Sequence, residues 1–374
     1  MKATLTDRVR TLIDQVSGSQ TAFGDLIGMS KDKLSKSLAG TRRFTSLELA
    51  LIAEAGDVSV DWLLTGRSPE RPAVAARSAV APAPAGLADR YADAYEVLDL
   101  LGRTRAVPPL PDAPATTGMH DRGTALATAA VDRLARHRVG PVSGLGAAEL
   151  VAAVEEVFGV DVAVGELPPG LDGLSWQTDQ RRLILLAATQ QWTRQRFTLA
   201  HELGHLLGDD ARQVVVDRHV SPGVDRDPTE VSANSFAAAL LMPEAEVRAR
   251  AGGALTDDEF ARLVVDFQVS PSAMAVRLFT LEIVGPVRFE QLRATTALAC
   301  HQRAGSIEEY LDKVNAALAQ RLPTRLVGDL FAAYQEGATT LRPLANLLGV
   351  DVDDLYETLA GTPADTAPDA VFSL

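Results

Sequence analysis

The sequence predicts an α+β protein, predominantly helical, with one small sheet near the middle of its 374 residues. Three observations carry that expectation. Apolar residues recur at spacings of three and four along most of the chain, the period of amphipathic helices. Three short apolar runs of strand type, Val160 to Val164, Leu174 to Gln177 and Leu183 to Leu186, lie close together. A helix-period stretch follows them, Arg194 to Leu207 (RQRFTLAHELGHLL), and it contains His201-Glu202-Leu203-Gly204-His205.

Composition narrows the class. A hydrophobic content of 47% with 23% charged residues is that of a globular protein with a core. No apolar run approaches the length of a membrane span, so no membrane partner is expected. The opening MKATLTDRVRTLIDQV has no apolar segment of signal-peptide type. The single cysteine, Cys300, allows no internal disulfide and fits a reducing, cytoplasmic setting. A net charge of −13 argues against the whole surface binding nucleic acid, though not against a local basic face.

Residues 1–67 read as a helical unit. Thr6 to Val16 is amphipathic, and Gln20 to Ile27 is a short second helix followed by the turn Gly28-Met29-Ser30. Ser30 is placed to cap a third helix, Lys31 to Leu38, which Gly40 ends. Thr45 to Ala55 is a fourth, with Ser46 as its expected cap. Two short helices around a glycine-containing turn have the helix-turn-helix layout. The exposed side chains of the third helix are expected to be Lys31, Asp32, Lys33, Ser35 and Lys36. With Arg42 and Arg43 the segment holds five basic residues against one acidic. Residues 1–70 together balance nine basic with nine acidic residues, so a DNA-binding role and a protein-docking role both stay open.

Residues 68–117 read as a Pro- and Ala-rich linker that carries one helix, Leu87 to Leu101. His120 to His137 and Ala147 to Phe158 are helices ahead of the strands. Helices are expected again over Thr256 to Phe267 and over Ser270 to Phe279, where Ser-Pro is a cap followed by Pro at the first helical position. Residues 291–362 read as a helical C-terminal region, its last pair having a helix-turn-helix look without a basic face, and residues 363–374 as a disordered tail.

The chemistry centres on His201 and His205. One turn apart on a helix, they share a face and can bind one metal ion. Glu202 lies beside them, placed to take a proton from an attacking water. A catalytic zinc needs a third protein ligand. Glu230 meets that need, in the first turn of a helix running to Leu241 and stopped by Pro243, and Asn234 is one turn further on, where it can orient a ligand by hydrogen bonding. Gly208 falls where a left-handed helix cap is usual. His219, fourteen residues past His205, is either a second electrophile for the oxyanion or a surface loop histidine. Cys300 and His301 read as structural, and His120 and His137 as solvated.

Taken together, RQRFTLAHELGHLLGD, the E-x-x-A-N-x-F-A-A-x-L-L-M-P segment from Glu230, and Asp172-Gly173-Leu174-Ser175-Trp176 resemble the ImmA/IrrE family of zinc metallo-endopeptidases. The resemblance implies a zincin-like domain over residues 118–290, Zn²⁺ (or Mn²⁺) on His201, His205 and Glu230, and Glu202 as catalytic base. It also implies a regulatory protein, a repressor or antitoxin, as substrate. The stretch Phe23 to Ser30, Gly40-Thr41-Arg42-Arg43 and the ending Val60 to Gly66 resemble the Xre/Cro helix-turn-helix domain, with Phe23-Gly24 in place of the usual Leu-Ala. That resemblance implies operator DNA as a partner, with Lys31, Lys33, Ser35 and Lys36 at the groove and Arg42 and Arg43 on phosphates. The expected function is cytoplasmic cleavage in transcriptional regulation. The alternative is a transcription regulator whose zincin-like domain senses a metal or ligand without cleaving. The oligomeric state stays open, a dimer included.

Overall fold

The computed structural model describes residues 4–56, 58, 62–63, 85–111, 118–209, 215–218, 228–252 and 255–360, and the chain divides into two units, Met1–Arg71 and Pro72–Leu374. The first unit holds α1 (Leu5–Val16), α2 (Gln20–Leu26), α3 (Lys31–Leu38) and α4 (Ser46–Ala55). Val9, Leu12, Phe23, Leu34, Ile52 and Leu63 form its core. Thr4 caps α1 reciprocally with Asp7, and Ser19 Oγ accepts from Ala22 N at 3.2 Å to start α2.

Two local expectations in this unit are corrected, and the departure at Gly24 is explained. Ser30 stands at the start of α3, but its side chain makes no capping bond. The cap of α4 is Thr45, not Ser46: Glu48 N donates to Thr45 Oγ1 at 3.3 Å, and Thr45 N donates to the Glu48 carboxylate at 2.9 Å. Glycine at position 24 is a requirement of the turn, because a Cβ there would lie 2.5 Å from Met29 O.

The second unit is built on a four-stranded sheet in the order β1-β3-β2-β4, with β1 Asp161–Gly165, β2 Leu171–Gln177, β3 Arg182–Ala187 and β4 Val215–Arg218. β1 and β3 are parallel, and β2 runs antiparallel to both its neighbours. The fourth strand was not expected from the sequence. VVDR is short and half polar, so its pattern alone does not mark a strand.

Each face of the sheet carries helices. On one side Val162, Val164, Ile184 and Leu186 join the core with α7 (Ala147–Phe158) and α8 (Trp192–Leu207). On the other, Ala163, Leu174, Trp176, Leu183 and Leu185 pack with α5 (Ala85–Leu100), α16 (Thr324–Gln335) and α17 (Arg342–Leu348). A sheet covered on both faces reads as unbroken apolar runs, as Leu183-Ile184-Leu185-Leu186 does. The helix expected within a linker and the expected separate C-terminal region are therefore both parts of this unit. They bury the face that α7 and α8 leave uncovered. Arg321 fastens the C-terminal segment to the edge strand: Val164 N donates to Arg321 O at 2.9 Å, and the Arg321 guanidinium donates to the Glu155 carboxylate at 2.6 and 2.8 Å.

Around this frame stand α6 (Met119–Arg136), α9 (Pro228–Leu241), α10 (Glu244–Arg250), α11 (Asp257–Phe267), α12 (Pro271–Thr280), α13 (Pro286–Arg293), α14 (Ala297–Ala304), α15 (Ile307–Leu318) and α18 (Val352–Ala360). Ser270 caps α12 as expected, Oγ accepting from Ala273 N at 3.1 Å, with Pro271 at the first helical position. No described helix is long and apolar enough to cross a membrane.

Candidate metal centre

α8 is the most enclosed helix near the sheet. From Thr198 to Leu207 every residue is buried. His201, Glu202 and His205 are therefore shielded from water, at 1%, 0% and 0% exposure. Burying two imidazoles and a carboxylate on one helix costs stability unless something engages them. The two imidazoles face each other, with Nε2 atoms 3.0 Å apart and ring planes at 77°.

Glu230 completes the group from the first turn of α9. Its Oε2 lies 3.3 Å from His201 Nε2, and its Oε1 lies 3.2 Å from His205 Nε2. A glycine permits this approach. A Cβ on Gly204 would lie 3.0 Å from the Phe236 ring and 3.2 Å from Ala233 Cα, so a larger residue would push α9, and Glu230 with it, away from α8.

The three residues fit a metal. A tetrahedral ion with ligands at about 2.05 Å has ligand–ligand edges of about 3.3 Å, close to the separations found. Two imidazole nitrogens and a carboxylate oxygen are a donor set that suits a transition metal such as zinc. Burial pushes the Glu230 carboxyl up, but the hydrogen bonds and charge of His201 and His205 overcome it and hold the group well below the usual carboxylate range. The ligand is thus ionised at neutral pH.

Glu202 lies on the flank of α8 that meets β2. Gly173 makes room there: a Cβ would lie 2.5 Å from Thr198 Cγ2 and 3.5 Å from Glu202 Cγ. Asp172, just before it, accepts from Arg194 Nε at 2.8 Å and ties β2 to the first turn of α8. At the far end Gln177 Nε2 donates to Asp209 at 2.8 Å. Here another expectation is corrected. Gly208 is right-handed, φ −76°, and the left-handed residue is Asp209, φ 59°. An aspartate tolerates that region better than most side chains.

Among the other expected site residues, Asn234 is half-buried, and no hydrogen bond joins it to the three ligands. His219 lies outside the described residues. His301 is structural, its Nδ1 2.9 Å from Ser306 Oγ and its ring edge-on to Trp192. Cys300 is buried, which pushes its thiol up to about 11. His120 is exposed, with Nδ1 2.7 Å from Ser235 Oγ, and His137 is exposed.

In the first unit Lys31, Asp32, Lys33, Ser35 and Lys36 are all exposed on α3, while Leu34, Ser37 and Leu38 face inward. Lys36 pairs with Asp32 at 2.8 Å. Arg43 is exposed. Arg42 departs from its expected place on a phosphate. Its guanidinium is half-buried and donates to both Glu48 oxygens at 2.7 and 2.8 Å. Those bonds hold Glu48 down at about 2 against the opposing effect of burial. The pair joins the loop after α3 to α4, which makes Arg42 a structural residue.

Sequence reasoning did not single out Gly173 and Gly204, whose missing side chains set the distances at the site. A glycine inside a strand pattern is a signal of close approach, and Gly173 carries it.

The helix pair brings three side chains able to ligate a metal, and a neighbouring buried glutamate, to one point. Residues 155–279 match the model of a peptidase family described as the IrrE N-terminal-like domain. The radiation response metalloprotease IrrE of Deinococcus radiodurans is 38% identical over 120 residues, which cover 28% of this chain and 35% of that protein. The chain thus spans about a third of that relative. The residues that match the peptidase family run from α7 to α12.

Proposed function

We propose that this protein is a metal-dependent endopeptidase, zinc being its metal, that cleaves a regulatory protein such as a repressor or antitoxin. The observation that carries the reading is the convergence of His201, His205 and Glu230 beside a fully buried Glu202. A closed structural site has no use for that extra carboxylate. The match of residues 155–279, which include all four, to a peptidase family supports the reading, as does the likeness to a metalloprotease.

In this mechanism His201, His205 and Glu230 would hold the ion. The bound ion would acidify a water and polarise the scissile carbonyl. Glu202 takes the proton of the attacking water and passes it to the leaving amine. Its burial keeps competing solvent from the carboxylate. Gly173 leaves no Cβ between the strand and Glu202.

The metal is tested by single substitutions. His201→Ala, His205→Ala and Glu230→Ala are each expected to lose most bound zinc, measured by elemental analysis after dialysis. Stoichiometric zinc in all three purified variants would refute the ligand set.

The exposed lysines of α3 support a second part of the reading, that the first unit is a helix-turn-helix domain that brings the peptidase to operator DNA. Arg42 is paired with Glu48, and Lys31, Lys33, Lys36 and Arg43 are exposed and available for phosphate contacts. The full chain should bind promoter DNA of its own operon, with affinity falling steeply as salt rises. Replacing Lys31, Lys33 and Lys36 with Ala should flatten the log–log salt slope by up to about three. An unchanged slope, or no binding by the parent at low salt, counts against operator recognition and favours protein docking.

A further inference from the structure

Ser175 stands in the middle of β2 and is wholly buried, and among the described residues its hydroxyl has no hydrogen-bond partner. A buried hydroxyl left unpaired costs stability, so its place asks for a reason. Its direction follows from the register. Ser175 pairs with Ile184, whose side chain lies in the core on the α8 side of the sheet. Its neighbours on that face are Gly173, against Thr198 and Glu202, and Gln177, bonded to Asp209. β2 and α8 therefore run alongside each other in the same direction.

The level of Ser175 on α8 can be worked out. Two strand residues advance about 6.6 Å, which equals between four and five residues of helix rise. That step leads from the Thr198–Glu202 level to His205. At about 100° per residue, His205 lies about 20° round the helix from Thr198, and His201 lies about 60° away. Of the two histidines, His205 is the one turned toward β2.

His205 has the complementary need. Its Nε2 faces the other ligands, and its Nδ1 is buried with no hydrogen-bond partner among the described residues. An imidazole that ligates through Nε2 keeps its proton on Nδ1, and such histidines nearly always give it to an acceptor. Among the described side chains of β2 on this face, Gly173 offers nothing and Gln177 is engaged with Asp209.

We propose that Ser175 is a positioning residue for the metal centre, its hydroxyl accepting from His205 Nδ1 and fixing the ring when Nε2 ligates the ion. The proposal rests on the metal-centre reading above. It gives Ser175 the role that the sequence had suggested for Asn234.

The test uses the full-length chain with Zn²⁺ as probe, in competition with a chelator of known affinity, alongside thermal melting of the metal-free protein. Ser175→Ala is expected to weaken zinc binding by about 10- to 100-fold. Metal-free Ser175→Ala should melt at the parent's temperature or above it, because an unpaired buried hydroxyl has been removed. Opposite movements of the two readouts separate positioning from a merely structural role. Zinc affinity equal to the parent's overturns the proposal. So does a loss of affinity matched by a fall in the metal-free melting temperature. Failure of the parent itself to bind zinc, or full binding by His205→Ala, overturns the metal centre instead.

Discussion

Glu202→Gln is expected to keep its metal and its fold and to lose peptide cleavage. Glutamine has the size and shape of glutamate, so the crowding around Gly173, Thr198 and Glu202 is unchanged. It cannot accept and return the proton. Loss of a general base costs about 10²- to 10⁴-fold in rate. The assay is cleavage of the repressor or antitoxin encoded beside the gene, and of a proteome-derived peptide library, read by mass spectrometry. Metal content is measured on the same samples. A variant that cuts as fast as the parent would rule out the mechanism. If parent and variant both hold zinc and neither cuts anything, the non-cleaving sensor becomes the better description.

The second large effect is expected on the helix that backs Glu230. Gly123 in α6 lies where that helix crosses α9, and a Cβ there would fall 2.1 Å from Ser232 O and 2.9 Å from Phe236 N. Both contacts are backbone, so no rotamer change can relieve them. Alanine improves helix propensity by about 1 kcal/mol, which works in its favour. Separating two packed helices costs more, about 1–3 kcal/mol and at times beyond. Ser232 is two residues past Glu230, so the same movement displaces a metal ligand. Gly123→Ala should therefore lower both the urea midpoint and the zinc affinity. Gly140→Ala is the control, because nothing among the described residues lies within 4 Å of its added Cβ. Equal stability of the two variants would show that α6 and α9 separate at no cost.

The parts legible in the sequence were those written in periodicity and in short motifs. The spacing of His201 and His205 fixes their common face whatever surrounds the helix. Glu230 was legible because the start of its helix is marked. Three kinds of feature were not. A strand as short as β4 takes its identity from its neighbour β2. The two-sided burial of the sheet depends on partners far along the chain, and α5 looked like part of a linker because its proline-rich surroundings dominate the local composition. Side-chain pairings such as Arg42 with Glu48 are decided by tertiary geometry. The same charge count fits a phosphate contact or a structural ion pair. The handover of the left-handed cap from Gly208 to Asp209 is of this kind too, since Gln177 holds the aspartate from another element.

The cover of the sheet's second face has a consequence in time. Leu174, Trp176, Leu183 and Leu185 rest on Leu326, Leu330 and Leu344, which lie beyond the metal ligands in the chain. A ribosome adding about 5–20 residues per second completes Glu230 on the order of 5–20 s before it reaches the helix that begins at Thr324. During synthesis the helices bearing the ligands exist while one side of their supporting sheet still lacks its C-terminal cover. A growing chain therefore presents apolar strands to its surroundings before it can present a finished sheet.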